Sequence, residues 1–163
     1  MSDQLLPGYS IRTGSGLDRA SLVKFMQRTY YEIFQEQDLS HLARTVEQYF
    51  SRETPLWWVE LVNFRIELLP HQRQPVACLW VGNAVDQVQG DRHAHIFLLY
   101  VVPEYRRQGI GTALMRHVED WARKRGDRQI SLQVFRSNQP ALNLYNQLGY
   151  QTQSLWMVKF LHP

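Results

Sequence analysis

Ile96-Phe-Leu-Leu-Tyr-Val-Val102 runs into Pro103 and then into Arg106-Arg-Gln-Gly-Ile-Gly-Thr112. Seven unbroken apolar residues are far short of the roughly 20 that a membrane-crossing helix needs. They suit a strand covered on both faces. After the turn, Ile110, Ala113, Leu114, Val118 and Trp121 form one apolar stripe at helical spacing, with Gly126 near its stop. The segment therefore reads as buried strand, glycine turn, amphipathic helix. A helix N-terminus carries about half a positive charge and several unpaired N–H groups. Gly109 and Gly111 let a ligand approach that backbone closely, so a pyrophosphate fits there. The same two glycines also fit a turn that merely enters a helix. Two familiar phosphate motifs fail on spacing. Leu114 stands where a dinucleotide fingerprint needs its third glycine, and Gly111 is followed by Thr-Ala rather than Lys-Ser/Thr.

Working outward, Gln129-Ile-Ser-Leu-Gln-Val-Phe135 alternates as a strand. Ser137 or Asn138 starts the next helix, Pro140 is permitted in its first turn, and Gly149 suits its C-terminal cap. Tyr150 to Leu161 predicts a terminal strand. Upstream, Gly8 to Thr13 predicts a short first strand closed by Gly14-Ser-Gly16. Leu22, Phe25, Met26, Tyr30, Ile33 and Phe34 predict one amphipathic helix. Ser40 is the expected N-cap of a second, with Ala43, Val46, Tyr49 and Phe50 on one side. Leu56 to Val62 and Gln74 to Gly82 predict two more strands, and Cys78 reads as core. The order is strand, helix, helix, three strands, helix, strand, helix, strand. It is an α/β arrangement with a mixed sheet.

The chain has 163 residues, 44% of them hydrophobic and 20% charged, which excludes a disordered or collagen-like chain. That length suits one domain over 1–163 with a real core. A single cysteine cannot form an internal disulfide, so nothing calls for an oxidising compartment. Met1 to Gly8 has neither the basic nor the apolar region of a signal peptide, and the expected location is the cytoplasm. Residues 1–100 carry nine Lys/Arg against eleven Asp/Glu, while 101–163 carry nine against four. The two halves are therefore net −2 and net +5, summing to the chain's +3. A basic second half suggests an anionic ligand, although Arg123-Lys-Arg125 also reads as a solvated helix end. The excess falls short of what nucleic-acid binding usually demands.

These residues resemble the signatures of the GNAT superfamily of N-acetyltransferases. Leu99-Tyr-Val-Val-Pro103 and Arg106-Arg-Gln-Gly-Ile-Gly111 match its strand-end and Arg/Gln-x-x-Gly-x-Gly/Ala patterns. Its second signature, an Asn seven residues before a Tyr and eleven before a Gly-aromatic pair, is matched by Asn138, Tyr145, Gly149 and Tyr150. The resemblance is tight over 93–150 and looser over 9–92. It implies a mostly antiparallel sheet of six to seven strands, flanked by about four helices and splayed between the fourth and fifth strands, those near 95–102 and 129–135. Residues 9–92 would form the acceptor side and 93–161 the acetyl-CoA side. No metal is implied.

The resemblance also implies roles. Arg106 would belong to the acetyl-CoA site, and the N–H groups of Arg107, Gln108, Gly109, Ile110, Gly111 and Thr112 would hold the pyrophosphate. Backbone groups of Leu99, Tyr100 and Val101 would meet the pantetheine arm and the thioester carbonyl, and Asn138 would contact the pantetheine or cap its helix. Fixed donors at that carbonyl stabilise charge that develops only during reaction. The acceptor must first lose a proton. A lysine-like amine is neutral in only about one part in two thousand at pH 7, so freeing it costs about 4–5 kcal/mol. His95, fourteen residues before Gly109, resembles in spacing the histidine of arylalkylamine acetyltransferases and the glutamate base of histone-acetylating relatives. It equally fits a hydrogen-bonded histidine opening a buried strand, and His93 is expected to be exposed. Tyr145 stands where the family's general acid stands. Gln133 replaces the glutamate that serves as base in the branch acetylating ribosomal proteins and peptide N-termini, which sets this chain apart from that mechanism.

The acceptor side is less informative. Glu32, Glu36 and Asp38 offer charge for a cationic amine, and Trp57, Trp58 and Trp80 offer either pocket walls or core. The expected acceptor is a small-molecule amine. The alternatives are a peptide or protein amine, or a module that binds acyl-CoA without turnover. Similar proteins are commonly homodimers.

Overall fold

The structure is a computed structural model describing residues 3–35, 38–62 and 74–162. The chain divides into two compact units, Met1–Gln133 and Val134–Pro163. The first carries β1 (Asp3–Leu6), β2 (Tyr9–Thr13), α1 (Arg19–Ile33), α2 (Leu42–Tyr49), β3 (Leu56–Leu61), β4 (Pro75–Val85), β5 (Arg92–Val101), α3 (Ile110–Arg125) and β6 (Ile130–Leu132). The second carries α4 (Gln139–Gln147).

The six strands lie in chain order. Each pair from β1 to β5 is antiparallel, and β6 alone runs parallel to its neighbour. A parallel neighbour needs a crossover, which α3 supplies between β5 and β6. Successive strand residues point to opposite faces, and β3 shows the consequence. Trp57 meets the rings of His117 and Trp121 on α3, at 4.9 and 5.7 Å. Its neighbour Trp58 meets Phe25 on α1 at 5.1 Å. Thus α1 and α2 cover one face and α3 the other, and β3 and β4 are buried on both. The α1–α2 side is a core of Leu22, Phe25, Val46, Trp58, Trp80 and Tyr100, among others. Each large side chain fully buried there contributes about 1.5–3 kcal/mol.

Several expectations need correction. The N-terminal strand is a hairpin of β1 and β2, turned at Gly8 with a φ of 87°. Ser40 does not cap α2. Its amide is taken by Asp38, and His41 holds the cap position. The strand expected over 129–135 is paired only at Ile130–Leu132. Residues 151–161 form no strand, and Leu155, Trp156, Met157, Val158, Phe160 and Leu161 are each at least 70% exposed. Their apolar character favours a strand, but a strand needs a ladder partner and no described one pairs with it.

The break expected between the strands near 95–102 and 129–135 is present. Pairing of β5 with β6 covers only Ala94–Ile130, His95–Ser131 and Ile96–Leu132. The remaining outer edge of β5 meets no described strand. At this point β5 also bulges. Trp80 pairs with Leu98 and Val81 with Ile96, leaving Phe97 as the extra residue. Among the described residues no helix is long and apolar enough to cross a membrane.

Candidate active site

The turn from β5 to α3 has two residues in the left-handed region, Arg107 at φ 66° and Gly109 at φ 86°. A glycine adopts that geometry freely, whereas a side chain there costs about 1–2 kcal/mol. Holding Arg107 in it is the kind of local strain that collects at binding sites. Left-handed residues among ordinary ones turn successive N–H groups inward, making an anion-binding concavity. The concavity opens onto the N-terminus of α3, which no side chain caps. The first intrahelical bond runs from the Ala113 amide to the Gly109 carbonyl, 3.0 Å, leaving the amides of Ile110, Gly111 and Thr112 outside the helical ladder. Ile110 is buried and anchors this end, while Arg107, Gln108 and Gly109 are exposed. The helix closes at Gly126 in the left-handed form, with Arg123, Lys124 and Arg125 in its last turn.

The loop is tethered to the rest of its unit by side chains. Arg106 donates through Nε to the Val101 carbonyl at 2.8 Å and through Nη2 to Glu32 Oε2 at 2.9 Å. The Tyr100 hydroxyl donates to the other Glu32 oxygen at 2.8 Å. Burial, with the Glu32 carboxylate beside it, pushes the Tyr100 hydroxyl up to about 12. Gln108 accepts from the Tyr9 hydroxyl. Glu32 is therefore not a free charge awaiting an amine but the anchor joining α1 to this turn. Asp38 is held by the Ser40 amide, and Glu36 lies outside the described residues. Leu99, Tyr100 and Val101 lie on β5 beyond the last β6 pair, so their outer edge faces the break in the sheet.

At the other end of β5, register places His95 opposite Ser131. His95 Nδ1 lies 2.8 Å from Ser131 Oγ, and His93 Nε2 lies 2.9 Å from the same oxygen. Gln129 Nε2 is 3.3 Å from His93 Nδ1. His93 is buried, contrary to the exposure expected, with the side chains of Ser131 and Gln129 against its ring. Burial first, and the neighbouring His93 second, lower the pKa of His95. A neutral imidazole at pH 7 is the form able to accept a proton. Phe97 packs against the His95 ring at 5.7 Å, and Gly82 leaves room for it, since a Cβ there would fall 2.0 Å from the Phe97 ring. Asp127 holds this end of β5 by accepting from the Ala94 amide at 2.8 Å. Burial opposes its charge, but Arg125, the Ala94 amide and Arg92 outweigh that and keep its pKa low.

In the second unit, Asn138 caps α4 by accepting from the Ala141 amide at 3.3 Å. Tyr145 lies on α4 with its ring 5.8 Å from that of Tyr150, and burial pushes its hydroxyl up to about 12. Gly149, at φ 91°, follows the helix in the left-handed form.

Trp57, Trp58 and Trp80 are buried and belong to the core, not to an acceptor pocket. Cys78 is fully buried and burial pushes its thiol up, so it is no nucleophile. Among the described residues no three His, Cys, Asp or Glu gather to hold a metal. Sequence reasoning missed Ser131 and Gln129. The alternation of Gln129-Ile-Ser-Leu puts both on one face, but only strand register shows that this face meets the histidines.

The acetyltransferase (GNAT) family model matches residues 20–150. The ribosomal protein bS18-alanine N-acetyltransferase of Escherichia coli K12 is 40% identical over 72 residues, covering 44% of this chain and 48% of that protein. A thialysine N-epsilon-acetyltransferase of Mus musculus is 42% identical over 60 residues, covering 37% and 35%. These matches span less than half the length of the curated relatives. A predicted acetyltransferase of Clostridium acetobutylicum, solved with acetyl-CoA, superposes with a TM-score of 0.72 at 20% identity, covering 94% of this chain and 96% of that one. The turn after β5, the break beside it and the family match agree, and the chain belongs to the acetyltransferase (GNAT) family.

Proposed function

We propose that this protein is an acetyl-CoA-dependent N-acetyltransferase that moves an acetyl group directly to an amine of a small molecule. The observation carrying this reading is the uncapped N-terminus of α3, preceded by left-handed Arg107 and Gly109 at the end of a strand with an open edge. Those groups fit a pyrophosphate with a pantetheine arm continuing along β5. Bound acetyl-CoA supplies an activated acyl group, and the chain's residues supply position and proton transfer. The amides from Arg107 to Thr112 hold the phosphates, and the β5 edge at Leu99 to Val101 meets the arm and the thioester. Arg106, bound to the Val101 carbonyl and to Glu32, clamps the turn that presents these amides to the coenzyme. His95 accepts the proton of the acceptor amine, and Tyr145, which keeps its own proton at neutral pH, donates to the departing thiolate. Asn138 caps α4 through its side-chain oxygen, and its contact with the pantetheine is what the family resemblance implies.

A small amine is favoured over a peptide N-terminus because Gln133 cannot take a proton where the peptide-acetylating branch has a glutamate. The relative acting on ribosomal protein alanine keeps the peptide alternative open to test. A binding module without turnover would need neither His95 nor Tyr145. In His95→Ala and Tyr145→Phe, acetyl-CoA affinity by calorimetry should stay within about threefold while kcat falls about a hundredfold, the low end of what a positioned acid or base supplies. Unchanged kcat in both would overturn these roles.

A further inference from the structure

A continuous file of hydrogen bonds crosses from β6 to β5 and ends on His95. Gln129 meets His93 Nδ1 at 3.3 Å, His93 Nε2 meets Ser131 Oγ at 2.9 Å, and Ser131 Oγ meets His95 Nδ1 at 2.8 Å. A serine hydroxyl has one proton, so it donates to one ring and accepts from the other. The file therefore has two polarities when both rings are neutral. In one, the Gln129 NH2 donates to His93, His93 Nε2–H donates to Ser131, and Ser131 donates to His95 Nδ1. His95 then carries its proton on Nε2 and offers no lone pair outside the file. In the other, His95 Nδ1–H donates to Ser131, Ser131 donates to His93 Nε2, and His93 Nδ1–H donates to the Gln129 amide oxygen. This polarity leaves the Nε2 lone pair of His95 open. Half a turn of the Gln129 amide exchanges the two, because its NH2 donates and its oxygen accepts.

We propose that Ser131 is a positioning residue for acetyl transfer, setting the tautomer of His95 and sharing with His93 the proton that His95 takes up. The inference rests on His95 being the base. When His95 Nε2 gains a proton from the acceptor ammonium, the Nδ1–H bond of His95 breaks and that proton joins Ser131 Oγ. The Ser131 O–H bond breaks in turn and its proton joins His93 Nε2. Ser131 is unchanged, His95 is neutral again, and the positive charge has moved to His93, where the Gln129 oxygen accepts from Nδ1–H. The groups facing His95 are His93 from its own strand, Ser131 from β6 and the uncharged Phe97 ring.

The test is imidazole nitrogen NMR on the 15N-labelled full-length protein, with kcat measured across pH on the same samples. In the wild type, the Nδ1–H tautomer of His95 should be populated. Ser131→Ala should move His95 toward the Nε2–H tautomer, shift the acid limb of kcat and lower kcat about tenfold, a fraction of a base's usual contribution, without changing KM for acetyl-CoA. Ser131→Thr, which keeps the hydroxyl, should restore the tautomer and the rate. An unaltered His95 tautomer in Ser131→Ala, with turnover still lost in His95→Ala, would overturn the role of Ser131 alone. Full turnover in His95→Ala would instead overturn the base on which it rests.

Discussion

At the scale of single residues, His95 has the property a base at neutral pH needs. Its folded pKa is lowered, so its proton is bound less tightly than in the unfolded chain. The neutral form should prevail at pH 7 and be lost only as pH falls through a value below the ordinary 6.5 or so. The acid limb of kcat/KM should therefore centre below the ordinary histidine value, and a limb at or above it would contradict the assignment. A second prediction concerns Arg12, whose Nε is 2.8 Å from Glu60 and whose Nη1 is 3.2 Å from Asp18. Glu60 is buried, with only 4% exposure, so removing its partner strands a charge. Arg12→Met should cost about 3 kcal/mol in urea unfolding, the low end for breaking a buried pair. A loss under about 1 kcal/mol would show that the pair behaves like a surface bridge. The glycine turn was legible from its residues, and the family resemblance named His95 and Tyr145 as candidates. They did not reveal that Glu32 is already engaged by Arg106 and Tyr100, since that contact joins positions far apart in the chain.

At the scale of elements, two glycines separate backbone geometry from crowding. Gly109 is left-handed with nothing within 4 Å of a prospective Cβ. Gly109→Ala should cost only the backbone strain, about 1–2 kcal/mol, and should weaken acetyl-CoA binding because the amides no longer converge. Unchanged affinity would remove the turn from the binding site. Gly82→Ala acts differently, because its Cβ would displace the Phe97 ring that packs on His95. Turnover should fall while acetyl-CoA affinity stays near wild type, measured by steady-state kinetics and calorimetry. The strand–turn–helix of β5 and α3 was legible because an unbroken apolar run, a glycine pair and a 3.6-residue stripe agree on one answer. The failures came where propensity lacked a partner. Gln133 to Phe135 keep a strand pattern yet leave the ladder at the break, and the largely apolar Leu155 to Leu161 has no strand partner among the described residues. The hairpin at Gly8 was missed because Asp3 to Leu6 is too short for periodicity to register.

At the scale of the whole molecule, six large apolar side chains between Leu155 and Leu161 stand at least 70% exposed. Apolar exposure gathered in one segment marks an interaction surface more often than a monomer's skin. The homodimer implied by the family resemblance should appear in light scattering at micromolar concentration and be lost when residues 152–163 are removed. A monomer at every concentration would refute it. The six-stranded sheet carries the larger claim, because it joins the open edge of β5, the bare end of α3 and the His93–Ser131–His95 file within one unit. The most direct test is release of free thiol from acetyl-CoA against a panel of amines, including arylalkylamines, polyamines, aminoglycosides, amino acids and short peptides. Thermal shift with CoA is read on the same sample. Release that depends on a small amine, together with stabilisation by CoA, is the predicted result. Stabilisation without release by any acceptor would contradict the catalytic reading, and no stabilisation by CoA would contradict the site itself.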